Sequence, residues 1–62
     1  MINFKVGDVV RVKGLNVKMV IEKLLEYVPS NKVYAADVVW FDNNNKLQKE
    51  RFEIHLLELV KN

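Results

Sequence analysis

The stretch VYAADVVWFDNNN, residues 33–45, decides the fold class of this chain. Its first nine residues are rich in β-branched and aromatic side chains, which predicts a β-strand. Alternation along that strand gives one face without charge, made of Tyr34, Ala36, Val38 and Trp40. The opposite face is also largely apolar and carries Asp37 as its one charge. A strand that is apolar on both faces lies in the middle of a sheet or meets a partner on its outer side.

The segment after this strand predicts a hairpin. Asp and Asn accept left-handed backbone more readily than other residues with a Cβ, so the run at 42–45 suits a tight connection to a returning strand at 46–52. Leu47 and Phe52 cannot both point inward in a regular strand, and we expect a bulge or a strong bend between them. Residues 53–57 then predict a single helical turn, and residues 58–60 a short closing strand.

Near the N-terminus, the stretch FKVGDVVRVKG at 4–14 predicts a half-buried strand that follows a tight turn at Gly7-Asp8. Val6, Val10 and Val12 share its apolar face with the turn aspartate Asp8. The other face is mostly basic and holds Lys5, Val9, Arg11 and Lys13. Gly14 supplies the positive φ that a sharp turn after the strand requires.

The segment VKMVIEKLLEYV, residues 17–28, fits two periodicities. Helical spacing places Val17, Val20, Ile21, Leu24 and Val28 on one side, whereas strand alternation groups Val17, Met19 and Ile21. Periodicity alone leaves both interpretations open and favours the strand. Residues 29–31, Pro-Ser-Asn, predict a loop.

Three stretches together resemble the YodC-like family of small bacterial proteins of unknown function. They are FKVGDVVRVKG at 4–14, Lys18-Met19, and VVWFDNNNKLQKERF at 38–52, and their order and spacing cover nearly the whole chain. The resemblance implies an all-β fold, a five-stranded SH3-like barrel over residues 1–62 as one domain, with a short helical turn before the last strand. It also makes residues 17–27 a strand. The family brings no known catalytic or binding residues to carry over.

Two departures from the family pattern stand in the loops. Leu15-Asn16-Val17 occupies the place of the family's Gly-Gly-Pro, and asparagines replace its hairpin glycine. The opening strand is also similar to KOW-type barrels of ribosome- and transcription-associated proteins. Those motifs continue with further glycines, whereas this chain has none after Gly14, so that similarity is confined to one strand and its turn.

The composition argues against several classes of function. With 62 residues, the chain is a single small domain, and without cysteine it has neither disulfides nor thiolate metal sites. His55 is the one histidine, which we expect on the surface, and Ser30 the one serine, so no nucleophilic triad is indicated. Two glycines form no phosphate-binding loop. We therefore expect no enzymatic activity, no cofactor, no metal site and no small-molecule substrate.

The sequence also suggests where the protein acts. The N-terminus lacks the basic leader and apolar run of a signal peptide, and no stretch approaches the roughly 18 apolar residues of a membrane span. We expect a cytoplasmic protein that does not enter the membrane.

Protein–protein interaction, including a homodimer, is the function that the pattern favours. Trp40 is expected to face the core, whereas Phe41 lies on the opposite face and leads into the polar loop. The predicted partner-binding residues are Val39, Phe41, Asn43, Asn44 and Asn45. An apolar strand face of this kind can bind a partner protein or a second copy of the chain.

Two alternatives remain open at this point. The formal net charge of +2 comes with a modest basic face, and nucleic acid binding is predicted there through Lys5, Arg11, Lys13 and Lys18. The other alternative is a structural accessory subunit whose exposed faces are buried in a larger assembly.

Overall fold

The structure is a computed structural model that describes residues 4–28 and 32–60, so the predicted loop at 29–31 lies outside the described residues. Within those ranges the chain forms five strands and one 3₁₀ turn. The elements are β1 (Val9–Val12), β2 (Met19–Glu26), β3 (Val33–Phe41), β4 (Leu47–Glu53), the 3₁₀ turn (Ile54–Leu56) and β5 (Leu57–Leu59). The predicted helical turn and closing strand are confirmed, with the strand beginning one residue earlier than expected.

The strands form a single antiparallel sheet in the order β4-β3-β2-β1-β5. The all-β prediction is confirmed, and β3 is an interior strand, as its two apolar faces predicted. The strand favoured for residues 17–28 is confirmed and the helical alternative is wrong, because residues 19–26 form β2 between β1 and β3. Met19 and Ile21 are buried on the same side of this strand, as alternation requires.

The length of the last connection forces the sheet to curve. β4 and β5 lie at opposite edges, and only Ile54–Leu56 separates them along the chain. In a flat sheet four strand spacings would put these edges about 19 Å apart. The chain from Glu53 to Leu57 can span at most about 14 Å. The sheet therefore bends so that its edges approach at one corner, although the described residues include no pairing between β4 and β5 and the sheet is not closed into a barrel.

The core lies on the concave, inner face of this curved sheet. Its fully buried side chains are Val10, Met19, Ile21, Ala36, Val38 and Leu57. Partly buried side chains pack around them, namely Phe4, Val12, Leu24, Trp40, Phe52, Ile54 and Leu59. Trp40 therefore contacts the core, in keeping with its predicted direction. Such a core is small, so each fully buried side chain contributes a large share of the stability.

The expected irregularity in β4 is absent. The β3–β4 register runs without a shift from Phe41 opposite Leu47 to Ala35 opposite Glu53. The premise that Leu47 points inward was wrong, because its side chain lies on the outer face, 51% exposed, whereas Phe52 packs against the core. Register shifts occur instead between β2 and β3.

Three residues with positive φ mark the predicted turns. Gly7 has φ 96°, Gly14 has φ 88°, and Asn45 in the β3–β4 loop has φ 60°. At the first turn the Lys5 amide donates to the Asp8 carboxylate at 2.8 Å, and the Asp8 amide donates to the Lys5 carbonyl at 3.0 Å. These turns are therefore set by residue types that tolerate left-handed backbone.

Candidate functional site

A line of three valines crosses the outer face of the sheet. Val9 on β1 lies opposite Val20 on β2, and Val20 lies opposite Val39 on β3. Directly opposite residues of antiparallel strands point to the same side, so the three side chains are neighbours. Val9 and Val20 are exposed and Val39 is half-buried. We call Val9, Val20 and Val39 the valine row.

A larger apolar pair adjoins the valine row. Phe41 lies two residues after Val39 on β3, hence on the same face, and sits opposite Leu47 on β4. The Phe41 side chain is 68% exposed. The valine row, Phe41 and Leu47 together form what we call the outer patch, which draws side chains from four neighbouring strands.

The sequence identified only part of the outer patch. Val39 and Phe41 were predicted to lie together, and the structure places them there. Val9 was grouped with a basic face, Val20 belonged to the segment of ambiguous periodicity, and Leu47 was expected inside. The pairing between strands aligns Val9 with Val20 and Phe41 with Leu47. The sequence of a single segment does not predict that pairing.

The β3–β4 loop next to Phe41 is organised by the Asp42 side chain. Its Oδ1 accepts hydrogen bonds from the backbone amides of Asn44 at 2.8 Å and Lys46 at 3.0 Å. Its Oδ2 accepts one from Gln48 Nε2 at 2.8 Å. The three asparagines of the predicted site, Asn43, Asn44 and Asn45, are exposed around this ordered turn. The loop therefore presents polar side chains from a fixed backbone at the rim of the outer patch.

The same hydrogen bonds lower the pKa of Asp42, with the Lys46 amide the largest contributor, followed by Gln48. A carboxyl whose pKa is lower in the folded than in the unfolded state stabilises the fold at any pH above its unfolded-state pKa, which is about 3.9 for aspartate. This stabilisation is lost as the pH falls through the folded-state pKa. Asp42→Asn should therefore melt at a lower temperature than wild type at neutral pH, and the difference should shrink as the pH falls below about 4. Thermal melts of both proteins across this range test the prediction, and a difference that does not depend on pH would contradict it.

Charged side chains on the outer face form three pairs of opposite charge. Arg51 Nε lies 2.8 Å from Asp37 Oδ1, Lys49 Nζ lies 3.7 Å from Glu22 Oε2, and Arg11 lies 3.4 Å from Glu58. The hydrogen bond from Arg51 holds the pKa of Asp37 below its ordinary value. Within these three pairs the outer face carries charge of both signs.

Lys5 lies apart from the other three predicted nucleic-acid-binding residues, Arg11, Lys13 and Lys18. Lys5 precedes the Gly7 turn, before the N-terminal end of β1. Lys13 and Lys18 lie in the β1–β2 connection, beyond the C-terminal end of β1. Arg11 is engaged within the chain, by Glu58 and through a 3.2 Å hydrogen bond to Asn16 Oδ1. Nucleic acid binding through this set stays a prediction.

Trp40 borders a small apolar concavity of about 130 Å³ on the inner face. Its other lining residues are Val12, Leu15, Val17, Met19 and Phe52. A cavity of about 150 Å³ holds one benzene ring, so this space is limited to a single side chain.

No protein-family model matches the chain, and neither a curated protein nor a solved structure does. Over residues 4–28 and 32–60, no cluster of three or more histidine and carboxylate side chains could hold a metal ion. His55 is exposed, as expected, with Nδ1 3.3 Å from Glu53 Oε2. None of the helical structure in those ranges has the length and apolar character needed to cross a bilayer.

Proposed function

We propose that this protein is a non-enzymatic binding module that associates with a second copy of itself through the outer patch. The observation that carries the proposal is the contiguous set of exposed and half-buried apolar side chains contributed by four neighbouring strands. Continuous apolar surface on a soluble domain marks an interaction site, because its burial is favourable while its exposure to water is not.

Charge pairing favours a second copy as the occupant. A two-fold interface places the same surface on both sides, so a face with an excess of one charge would repel itself. Here Arg51 is neutralised by Asp37, and Lys49 by Glu22, within each chain. Two outer faces can therefore approach without a large repulsion between like charges.

An interface of ordinary size would cover a modest share of the chain. A stable interface buries about 800 Å² on each partner. The chain exposes 5011 Å², so such an interface would take about a sixth of its surface. Burying the outer patch would also supplement a core that is small for an independent domain.

The asparagine loop would supply the polar rim of this interface. Asn43, Asn44 and Asn45 are exposed beside Phe41, and Asp42 fixes the backbone that presents them. Interfaces commonly combine a buried aromatic anchor with a surrounding ring of polar contacts. In the proposed dimer Phe41 is the anchor and the amides set the orientation.

We also propose that the curved sheet is a partly open barrel of the SH3-like kind and that the chain is related to the YodC-like family. The strand order β4-β3-β2-β1-β5 and the 3₁₀ turn between the two edge strands support the barrel. The collinear stretches at 4–14 and 38–52 support the family relationship. An experimental structure in which β4 and β5 lie far apart would argue against the barrel.

Sedimentation velocity over a wide range of concentrations tests self-association. We expect the sedimentation coefficient to rise with concentration from the monomer value to the dimer value. A protein that remains monomeric throughout would contradict the choice of a second copy and would leave the outer patch to a different protein partner.

A further inference from the structure

Two stacked tyrosines lie at the end of the β2–β3 hairpin where β2 ends and β3 begins. The rings of Tyr27 and Tyr34 have centroids 4.3 Å apart and are inclined by 23°. Tyr27 is 57% exposed, so most of its surface is open to solvent. The pair borders a concavity of about 810 Å³, whose polar lining residues are Lys32, Arg51, Glu53 and His55.

We infer that this concavity binds a nucleotide, with its base stacked on Tyr27 and its phosphate held by Lys32 and Arg51. When a second tyrosine stacks on one face of a tyrosine ring, the opposite face can still stack on a planar heteroaromatic ring. The volume lies within the range of pockets that enclose small ligands. The donors and acceptors along the wall suit the hydrogen-bonding edge of a base.

Arg51 is the best-placed cation of the site. Its Nε donates to Asp37 Oδ1 at 2.8 Å, and this bond fixes the guanidinium at the wall of the concavity. A guanidinium has five N–H donors, so the pair with Asp37 leaves others for a phosphate oxygen. Lys32 adds an exposed ammonium.

The mixed charge of the site predicts how the ligand is held. Glu53 lines the same wall and opposes a phosphate, and Asp37 already offsets the charge of Arg51. Stacking should therefore supply more of the affinity than charge, and binding should depend less on salt than the binding of a polyanion to a lysine cluster.

This site is separate from the outer patch. None of Val9, Val20, Val39, Phe41 and Leu47 lines the concavity. The two sites share one neighbour, because Arg51 lies both beside the outer patch and in the lining of the concavity. Tyr27 and Lys32 belong to the concavity alone, so their substitution should leave self-association unchanged.

The test is an NMR titration of isotope-labelled protein with the four ribonucleoside monophosphates and, separately, with short single-stranded RNA. We expect upfield ring-current shifts of the Tyr27 ring and of the base protons that largely persist at physiological salt. Shifts with the mononucleotides identify a free nucleotide as a sufficient ligand, whereas shifts with RNA alone identify a strand as the source of the base. Tyr27 resonances that move with neither would overturn the inference.

Substitutions distinguish base stacking from nonspecific binding. Tyr27→Leu removes the aromatic ring at an exposed position and should weaken binding on the order of tenfold, whereas Tyr27→Phe should retain it. Lys32→Gln should weaken binding by a smaller factor. Lys46→Gln, at the other end of β3, is the charge-matched control and should leave the affinity unchanged. Equal affinity in wild type and Tyr27→Leu would refute the stacked geometry.

Discussion

Ile21→Ala is expected to leave most of the protein unfolded at room temperature. Ile21 is 1% exposed and lies on the inner face of β2, opposite Val38. Truncating a buried isoleucine to alanine costs about 2 to 5 kcal/mol, because apolar contacts are lost and a cavity remains. A single core of this size rarely supplies more than about 3 to 5 kcal/mol of net stability. Circular dichroism and chemical denaturation measure the effect.

The neighbouring residue provides the matched control. Val20 precedes Ile21 on the same strand, but its side chain lies on the outer face and is 41% exposed. Val20→Ala, measured in dilute solution where association is negligible, should lower the unfolding free energy by less than about 1 kcal/mol. Equal losses for the two variants would mean that the assignment of inner and outer faces in β2 is wrong.

Phe41→Asp is expected to weaken self-association at least about thirtyfold, because a buried aromatic anchor of an interface commonly contributes about 2 kcal/mol or more. The aspartate would also bring two like charges close together across a two-fold interface. The fold should persist, because Phe41 lies outside the core. Sedimentation equilibrium gives the dissociation constants, and denaturation curves at low concentration check the fold.

Leu15→Asp is the control for this variant. Leu15 is an exposed apolar side chain that borders the Trp40 concavity on the inner face, away from the outer patch. Its replacement should leave the dissociation constant unchanged. If Leu15→Asp disrupts association and Phe41→Asp does not, the interface lies on the inner face.

The interior strand was predictable from sequence because its signal is local. Residues 33–41 are apolar on both faces, and a strand of this kind is stabilised when other parts of the protein or a partner bury both faces. The turns were predictable for the same reason, since Gly7, Gly14 and the asparagine run report the backbone conformations that they adopt.

The sequence is least informative where the outcome depends on pairing between strands. Periodicity over residues 17–28 favoured a strand without excluding a helix, and hydrogen bonding to β1 and β3 confirms the strand. Leu47 was expected to share the inner face with Phe52 by means of a bulge, yet Phe41 opposite it gives it an apolar neighbour on the outer face. The stacked tyrosines escaped notice because Tyr27 and Tyr34 belong to different segments.

An NMR experiment on a mixture of isotope-labelled and unlabelled protein tests the central claim most directly, because it detects only contacts between copies. We predict intermolecular nuclear Overhauser effects that connect the Phe41 ring of one copy with the methyl groups of Val20, Val39 and Leu47 in the other. Intermolecular contacts confined to other surfaces, or none at concentrations where sedimentation shows a dimer, would contradict association through the outer patch.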